Sequence, residues 1–182
     1  KENHITAIPV SFDENYLRQP GVYTGRIIAY ERTGEAEEFH RKHTLFELWN
    51  TIIIPYHFAP ENNYRQNFTY RRLDAGSIDR YFLSVPPGAS GMYATLMPSP
   101  GSECSVRPHL FDPEGKEHGY YRYTDQRRQP LEINLTGESI LFGDWELDIY
   151  AGVTNSESSV YDLDISFYGI ESNPKTITGF QF

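Results

Sequence analysis

Asp79-Arg80-Tyr81-Phe82-Leu83-Ser84-Val85-Pro86-Pro87-Gly88-Ala89-Ser90-Gly91-Met92-Tyr93-Ala94-Thr95-Leu96 reads as two strands joined by a turn. Tyr81, Leu83 and Val85 alternate with Arg80, Phe82 and Ser84 at the period of two that a strand imposes. Pro86-Pro87 then removes two backbone donors, and Gly88 supplies a position free to turn the chain. A chain built from such units points to a β-sandwich before it points to a catalyst.

The same pattern recurs on both sides. Upstream, strands are expected over 5–12, 22–30 and 45–56, the third holding the apolar run Ile52-Ile53-Ile54. Three strands are too few to close a sandwich, so this part needs further strands from elsewhere. The polar stretch 31–43, with Glu35, Glu37, Glu38, Arg41 and Lys42, is a hairpin loop or a short exposed helix. Pro60-Glu61-Asn62-Asn63 is the best boundary, because turn formers separate the Ile-rich strand from a new series. Strands are then expected over 67–73, 78–85, 92–97, 105–111, 120–123, 131–135, 145–151 and 160–170, a spacing that suits a jelly-roll sandwich. The last two are clearest: Trp145, Leu147, Ile149 and Ala151 oppose Glu146, Asp148 and Tyr150, while Tyr161, Leu163, Ile165 and Phe167 oppose Asp162, Asp164, Ser166 and Tyr168. Each strand therefore has an apolar face and a wet, acidic one. Residues 172–182 form a linker or begin a following strand.

Composition agrees. In 182 residues there are 14 Tyr and 11 Phe, a balance that suits half-buried strands better than helices. A formal charge of −9 sets the chain against phosphate backbones and anionic membranes, so neither nucleic acid nor membrane is an expected partner. No apolar run approaches the ~18 residues that span a bilayer. Cys104 is the only cysteine, which excludes an internal disulfide and a Cys-cluster metal site and fits a reducing compartment. Asn67-Phe68-Thr69 and Asn134-Leu135-Thr136 match the glycosylation pattern, a motif short enough to arise by chance.

Chemistry-bearing patterns are sparse. There is no Gly-x-Ser-x-Gly elbow, and turn chemistry explains the serines of Gly101-Ser102-Glu103-Cys104-Ser105 and Gly88-Ala89-Ser90-Gly91. Glu37-x-x-His40 with His43 is half of a carboxylate-bridged metal motif, and no second half accompanies it. Asp148, Asp162 and Asp164 are the candidate calcium ligands, should their strands be neighbours. Acids alternating along a wet face also keep a sheet soluble, and no Asp/Gly-rich loop is present, so no metal and no cofactor are assigned. Tyr120, Tyr121 and Tyr123 are the candidate ligand or interface aromatics, because sugar binding needs aromatic platforms with polar tips. Trp145, on an apolar face, reads as core.

Several segments together resemble the non-catalytic β-sandwich region downstream of the protease domain in tripeptidyl-peptidase II-like subtilisin-family serine peptidases. They are Val10-Ser11-Phe12-Asp13 through Pro20-Gly21-Val22-Tyr23-Thr24, Leu45-Phe46-Glu47 through Ile52-Ile53-Ile54, Arg80 with the residues through Ala89, and Asp164-Ile165-Ser166-Phe167-Tyr168-Gly169-Ile170. The resemblance implies a fold and a division: closing strands of an immunoglobulin-like domain over 1–58, then a galactose-binding-like jelly roll over 62–171. It implies that peptidase chemistry belongs to a separate catalytic domain, which would be the partner, together with self-association. It tilts localisation toward the cytoplasm and leaves secretion open. The Glu-rich stretch 31–43 departs from the family's shorter, Pro/Gly-bearing connection. A carbohydrate-binding module is the alternative reading.

Overall fold

A computed structural model describes residues 9–30, 44–99, 105–119, 124, 130–137 and 140–170. The chain divides into two compact units, Lys1–Ile54 and Pro55–Phe182.

In the first unit, a 3-10 turn at Glu14–Tyr16 precedes β1 (Gly21–Tyr30) and β2 (Thr44–Ile54), an antiparallel pair. The register sets Tyr23 opposite Ile52, Ile27 opposite Leu48 and Ala29 opposite Phe46 on one face, leaving Arg26 opposite Trp49 and Val22 opposite Ile53 on the other. Both faces are therefore rich in apolar side chains. Leu45, Phe46, Leu48 and Trp49 are exposed, Trp49 to 66%. The strand expected at 5–12 is absent from residues 9–12, and its remainder lies outside the described residues, as does the stretch 31–43.

The second unit is a β-sandwich. Its strands are β3 (Tyr56–His57), β4 (Arg65–Leu73), β5 (Ile78–Ser84), β6 (Gly91–Pro98), β7 (Val106–Phe111), β8 (Leu131–Thr136), β9 (Asp144–Ala151) and β10 (Ser159–Tyr168). They form two four-stranded sheets, ordered β4-β10-β6-β8 and β3-β5-β9-β7. From β4 to β10, successive strands alternate between the sheets. All pairings are antiparallel except β3 with β5, where Tyr56 lies parallel beside Leu83.

The unit break precedes the Pro60 turn because Tyr56–His57 joins β5 and Phe58 is buried against the core. Pro55 ends β2, so the strand expected over 45–56 is two elements. The strands joined by Pro86-Pro87-Gly88 exist as expected, but they lie in opposite sheets. Ala89 N–H donates to Pro86 O at 3.1 Å, and Gly88 sits at φ 82°, so the turn carries the chain from one layer to the other.

Alternation builds the core. Leu147, Ile149 and Ala151 of β9 are fully buried, and Leu163 and Ile165 of β10 are fully buried in the other sheet. Burying each Leu or Ile contributes about 1.5–3 kcal/mol, so the inner faces dominate stability. Phe82, by register beside Glu146 on the outer face, is nonetheless 7% exposed, with the Arg80 guanidinium 5.1 Å from its ring centre.

One irregularity decides what the inner face contains. The β4–β10 register slips between Phe68↔Leu163 and Arg71↔Tyr161, a bulge at Thr69 and Tyr70. Tyr70 takes φ 52°, unusual for an aromatic residue, and its N–H donates to Asp162 Oδ1 at 2.7 Å. Without the bulge, strict alternation from Phe68 would turn Arg72 inward. With it, Arg71 and Leu73 face the core.

Candidate functional site

Arg71 enters a polar cluster that links the two sheets. Tyr81 of β5 and Tyr161 of β10 are buried, and their hydroxyls lie 2.8 Å apart. Tyr161 Oη donates to Asp79 Oδ2 at 2.6 Å, so its single proton is committed and Tyr81 is the donor between the two phenols. Arg71 closes the group with its guanidinium 3.5 Å from Asp79 Oδ2. Tyr56 and Phe68 wall it off, their rings 4.9 Å apart and edge to face, with Phe68 also 4.7 Å from Tyr81.

The electrostatics follow from burial. Desolvation pushes the Tyr161 phenol far above its ordinary value, with the neighbouring Tyr81 and Asp79 adding to the rise. Tyr81 is raised by burial too, partly offset by its hydrogen bond to Tyr161 and the Arg71 charge. Burial likewise raises Tyr56, against the pull of Arg71. Phenols held this way stay neutral through the physiological range, so they serve as hydrogen-bonding links and not as bases. The cluster clamps one sheet to the other.

A second cluster lies on the outer face of β5, β9 and β7. Glu146 and Asp148 stand two residues apart on β9, with one guanidinium between them. Arg80 reaches Glu146 Oε1 at 2.5–2.6 Å but Asp148 Oδ1 only at 3.7 Å. Asp148 Oδ1 is buried and has no hydrogen-bond partner. Burial first, then the charge and hydrogen bond of Glu146, push the Asp148 carboxyl up to about 7, against the pull of Arg80. On β7, His109 faces Asp148 in register. Its ring is engaged elsewhere: Arg107 Nε donates to Nε2 at 2.8 Å, which leaves the ring proton on Nδ1, 2.7 Å from Glu117 Oε1.

A third arrangement locks the turn after β7. Asp112 Oδ1 accepts from the backbone N–H of Glu114 and of Lys116, and Oδ2 lies 2.7 Å from His118 Nε2. Burial raises the Asp112 carboxyl, but these hydrogen bonds outweigh it and hold the group below its usual range. His118 in turn packs on Trp145, ring centres 4.9 Å apart. Trp145 is core as expected, 1% exposed, its indole N–H donating to Leu141 O at 2.8 Å.

The three acids that would have converged on neighbouring strands are divided between the two sheets. Asp148 is on β9, whereas Asp162 and Asp164 are on β10 in the other sheet, and all three point away from the core. Asp164 is taken up by Arg65 and Asn67, and Asp162 caps the Tyr70 bulge. Among the described residues no group of three or more His, Cys, Asp or Glu side chains is placed to hold a metal ion. Tyr120, Tyr121 and Tyr123, and Glu37, His40 and His43, lie outside the described residues. Both glycosylation-pattern asparagines are exposed: Asn67 donates to Asp164, and Asn134 accepts from Tyr168 Oη.

The sequence reading missed the inter-sheet clamp. Its signal was partly present, since Asp79 shares the parity of Tyr81 and Leu83 and so falls on the inner face, where a carboxylate needs partners. The Asp112 lock also had one, in the turn-forming Asp112-Pro113-Glu114-Gly115.

No family model matches the chain. It is 27% identical over 168 residues, 91% of its length, to pyrolysin of Pyrococcus furiosus. The chain resembles one region of that protein. It spans 10% of pyrolysin's length. Among solved structures, its fold matches part of tripeptidyl peptidase 2, with a TM-score of 0.59 and 20% identity over 84% of this chain and 13% of that one. The pre-peptidase C-terminal domain of a Bacillus anthracis collagenase is a looser match, TM-score 0.38 at 16% identity over 57% of this chain and 89% of that domain. The resemblance to a β-sandwich region of subtilisin-like peptidases, read from the sequence, is upheld by the first two. Among the described residues no helix is long and apolar enough to cross a membrane.

Proposed function

We propose that the chain is a non-catalytic accessory and scaffold module of a subtilisin-like, tripeptidyl-peptidase II-like serine peptidase. The catalytic domain of that peptidase is its partner. The module packs against it, shapes access to its active site or contributes to self-association. In this reading residues 62–171 are a galactose-binding-like jelly roll, supported by the alternation of successive strands between sheets. Residues 1–58 are the closing strands of an immunoglobulin-like domain, supported by a two-stranded ribbon that is apolar on both faces.

The observation that carries the reading is the match of nearly the whole chain to one tenth of a much longer protein. Physical support comes from the ribbon. Two strands alone are marginal in water, and exposed apolar side chains on both faces of the ribbon favour its being covered. Leu45, Phe46, Leu48 and Trp49 supply the aromatic and aliphatic anchors that stable contacts of ~800 Å² per partner draw on. The inter-sheet clamp and the Asp112 lock support it from the other side, since each engages its groups in internal bonds. The test is twofold. The purified chain should release no tripeptides from peptide substrates, and the full polypeptide its gene encodes should lose assembly or activity when residues 1–182 are deleted. Turnover by the purified chain overturns the reading.

A further inference from the structure

The paired carboxylates of β9 have no place in that scaffold reading. Glu146 and Asp148 share one face of one strand, and a single guanidinium serves both, bonded to Glu146 and 3.7 Å from Asp148. Asp148 Oδ1 is left without a hydrogen bond while buried from solvent.

The groups around it are accounted for among the described residues. On β5, Arg80 is the one ionisable side chain directed at Asp148, and Ile78, Phe82 and Ser84 occupy the rest of that outer row. On β7, His109 is opposite but bonded to Arg107 and Glu117, and Arg107 itself is opposite Tyr150. On β9, Glu146 and Tyr150 flank Asp148, and Asp144 lies beyond Glu146. Two anions and one committed cation leave an electrostatic deficit that one proton fills, as a carboxyl O–H donating to the neighbouring carboxylate.

We propose that Glu146 and Asp148 form a proton-sharing pair that makes this sheet respond to pH: a hydrogen-bonded carboxyl and carboxylate in mildly acidic solution, two repelling anions in mildly alkaline solution. The only bond broken is the O–H, and the proton leaves to water. The direction is set by linkage. The folded chain keeps a proton that the unfolded chain has already lost, so the stabilisation is complete below the ordinary carboxylate range and disappears as pH rises through about 7.

The experiment uses the full 182-residue chain. Carbon-detected NMR follows the side-chain carboxyls across pH. The Asp148 carboxyl should titrate near neutrality, and Glu146→Gln should move that titration down by about one pH unit or more, since a like charge is removed. Urea unfolding gives the second arm: wild type should lose stability between about pH 5 and about pH 8, and Asp148→Asn should flatten that slope. Titration of wild-type Asp148 in the ordinary carboxylate range overturns the proposal. So does an unchanged slope in Asp148→Asn. If that variant fails to fold, the wild-type titration and its response to Glu146→Gln decide.

Discussion

Replacing Tyr161 by Phe removes one oxygen and tests whether the two sheets are held together by more than apolar contact. That oxygen donates to Asp79 Oδ2 at 2.6 Å and accepts from Tyr81 Oη at 2.8 Å. A hydrogen bond to a charged acceptor contributes about 1.5–3 kcal/mol and a neutral one about 0.5–1.5 kcal/mol. The loss should fall toward the lower end of their sum, because Asp79 keeps Arg71 at 3.5 Å and Tyr81 keeps its own bond to Arg71. We expect destabilisation of about 2–3 kcal/mol, which lowers the melting temperature by roughly 5–10 °C for a unit of this size. Urea unfolding followed by the fluorescence of buried Trp145 reads it directly. Tyr81→Phe should cost about half as much, and the double variant less than the sum of the two, because the groups share one network. A loss below about 0.5 kcal/mol for Tyr161→Phe would show that the clamp contributes nothing, and strict additivity would show that the two phenols do not act as one network.

Other outcomes follow from the same geometry. Spectrophotometric titration should find Tyr81 and Tyr161 silent until the chain unfolds in alkali, because burial raises both phenols; early ionisation of every tyrosine would contradict the cluster. Gly91→Ala should destabilise by about 1–3 kcal/mol in thermal melts, since a Cβ there falls on the Tyr168 ring, which is itself bonded to Asn134 and Leu135. Asp112→Asn should cost about 1–3 kcal/mol and weaken the turn lock. Because the Asp112 carboxyl is held below its usual range, its contribution is present above that range and is lost as acid titrates it, so the variant's deficit should shrink in unfolding experiments at low pH. Leu147→Ala, emptying a fully buried site, should cost about 2–5 kcal/mol by urea unfolding.

The sandwich was legible wherever one face of a strand is wholly buried. In 145–151 and 161–167 the period of two is unbroken, because each side chain meets either core or water. The inner and outer residues of β9 and β10 could therefore be assigned from the sequence alone. Legibility failed where the answer depends on partners distant along the chain. Nothing local tells Asp148 that its strand sits in a different sheet from Asp162 and Asp164, and so the three acids looked closer than they are. The bulge at Tyr70 is equally silent: a non-glycine residue at φ 52° gives no compositional signal, yet it decides that Arg71 and not Arg72 reaches Asp79. The β3 segment was absorbed into the preceding strand because Tyr56 continues an apolar run. Only its pairing with β5 separates it.

In the function proposed above, the β1–β2 ribbon is covered by the rest of a longer peptidase. Hydrogen exchange across residues 44–54, measured in the isolated chain and in the full polypeptide its gene encodes, tests this most directly. Strong protection gained only in the full polypeptide is the expected result. Equal exchange in both, or a gene that encodes nothing beyond this chain, would contradict it.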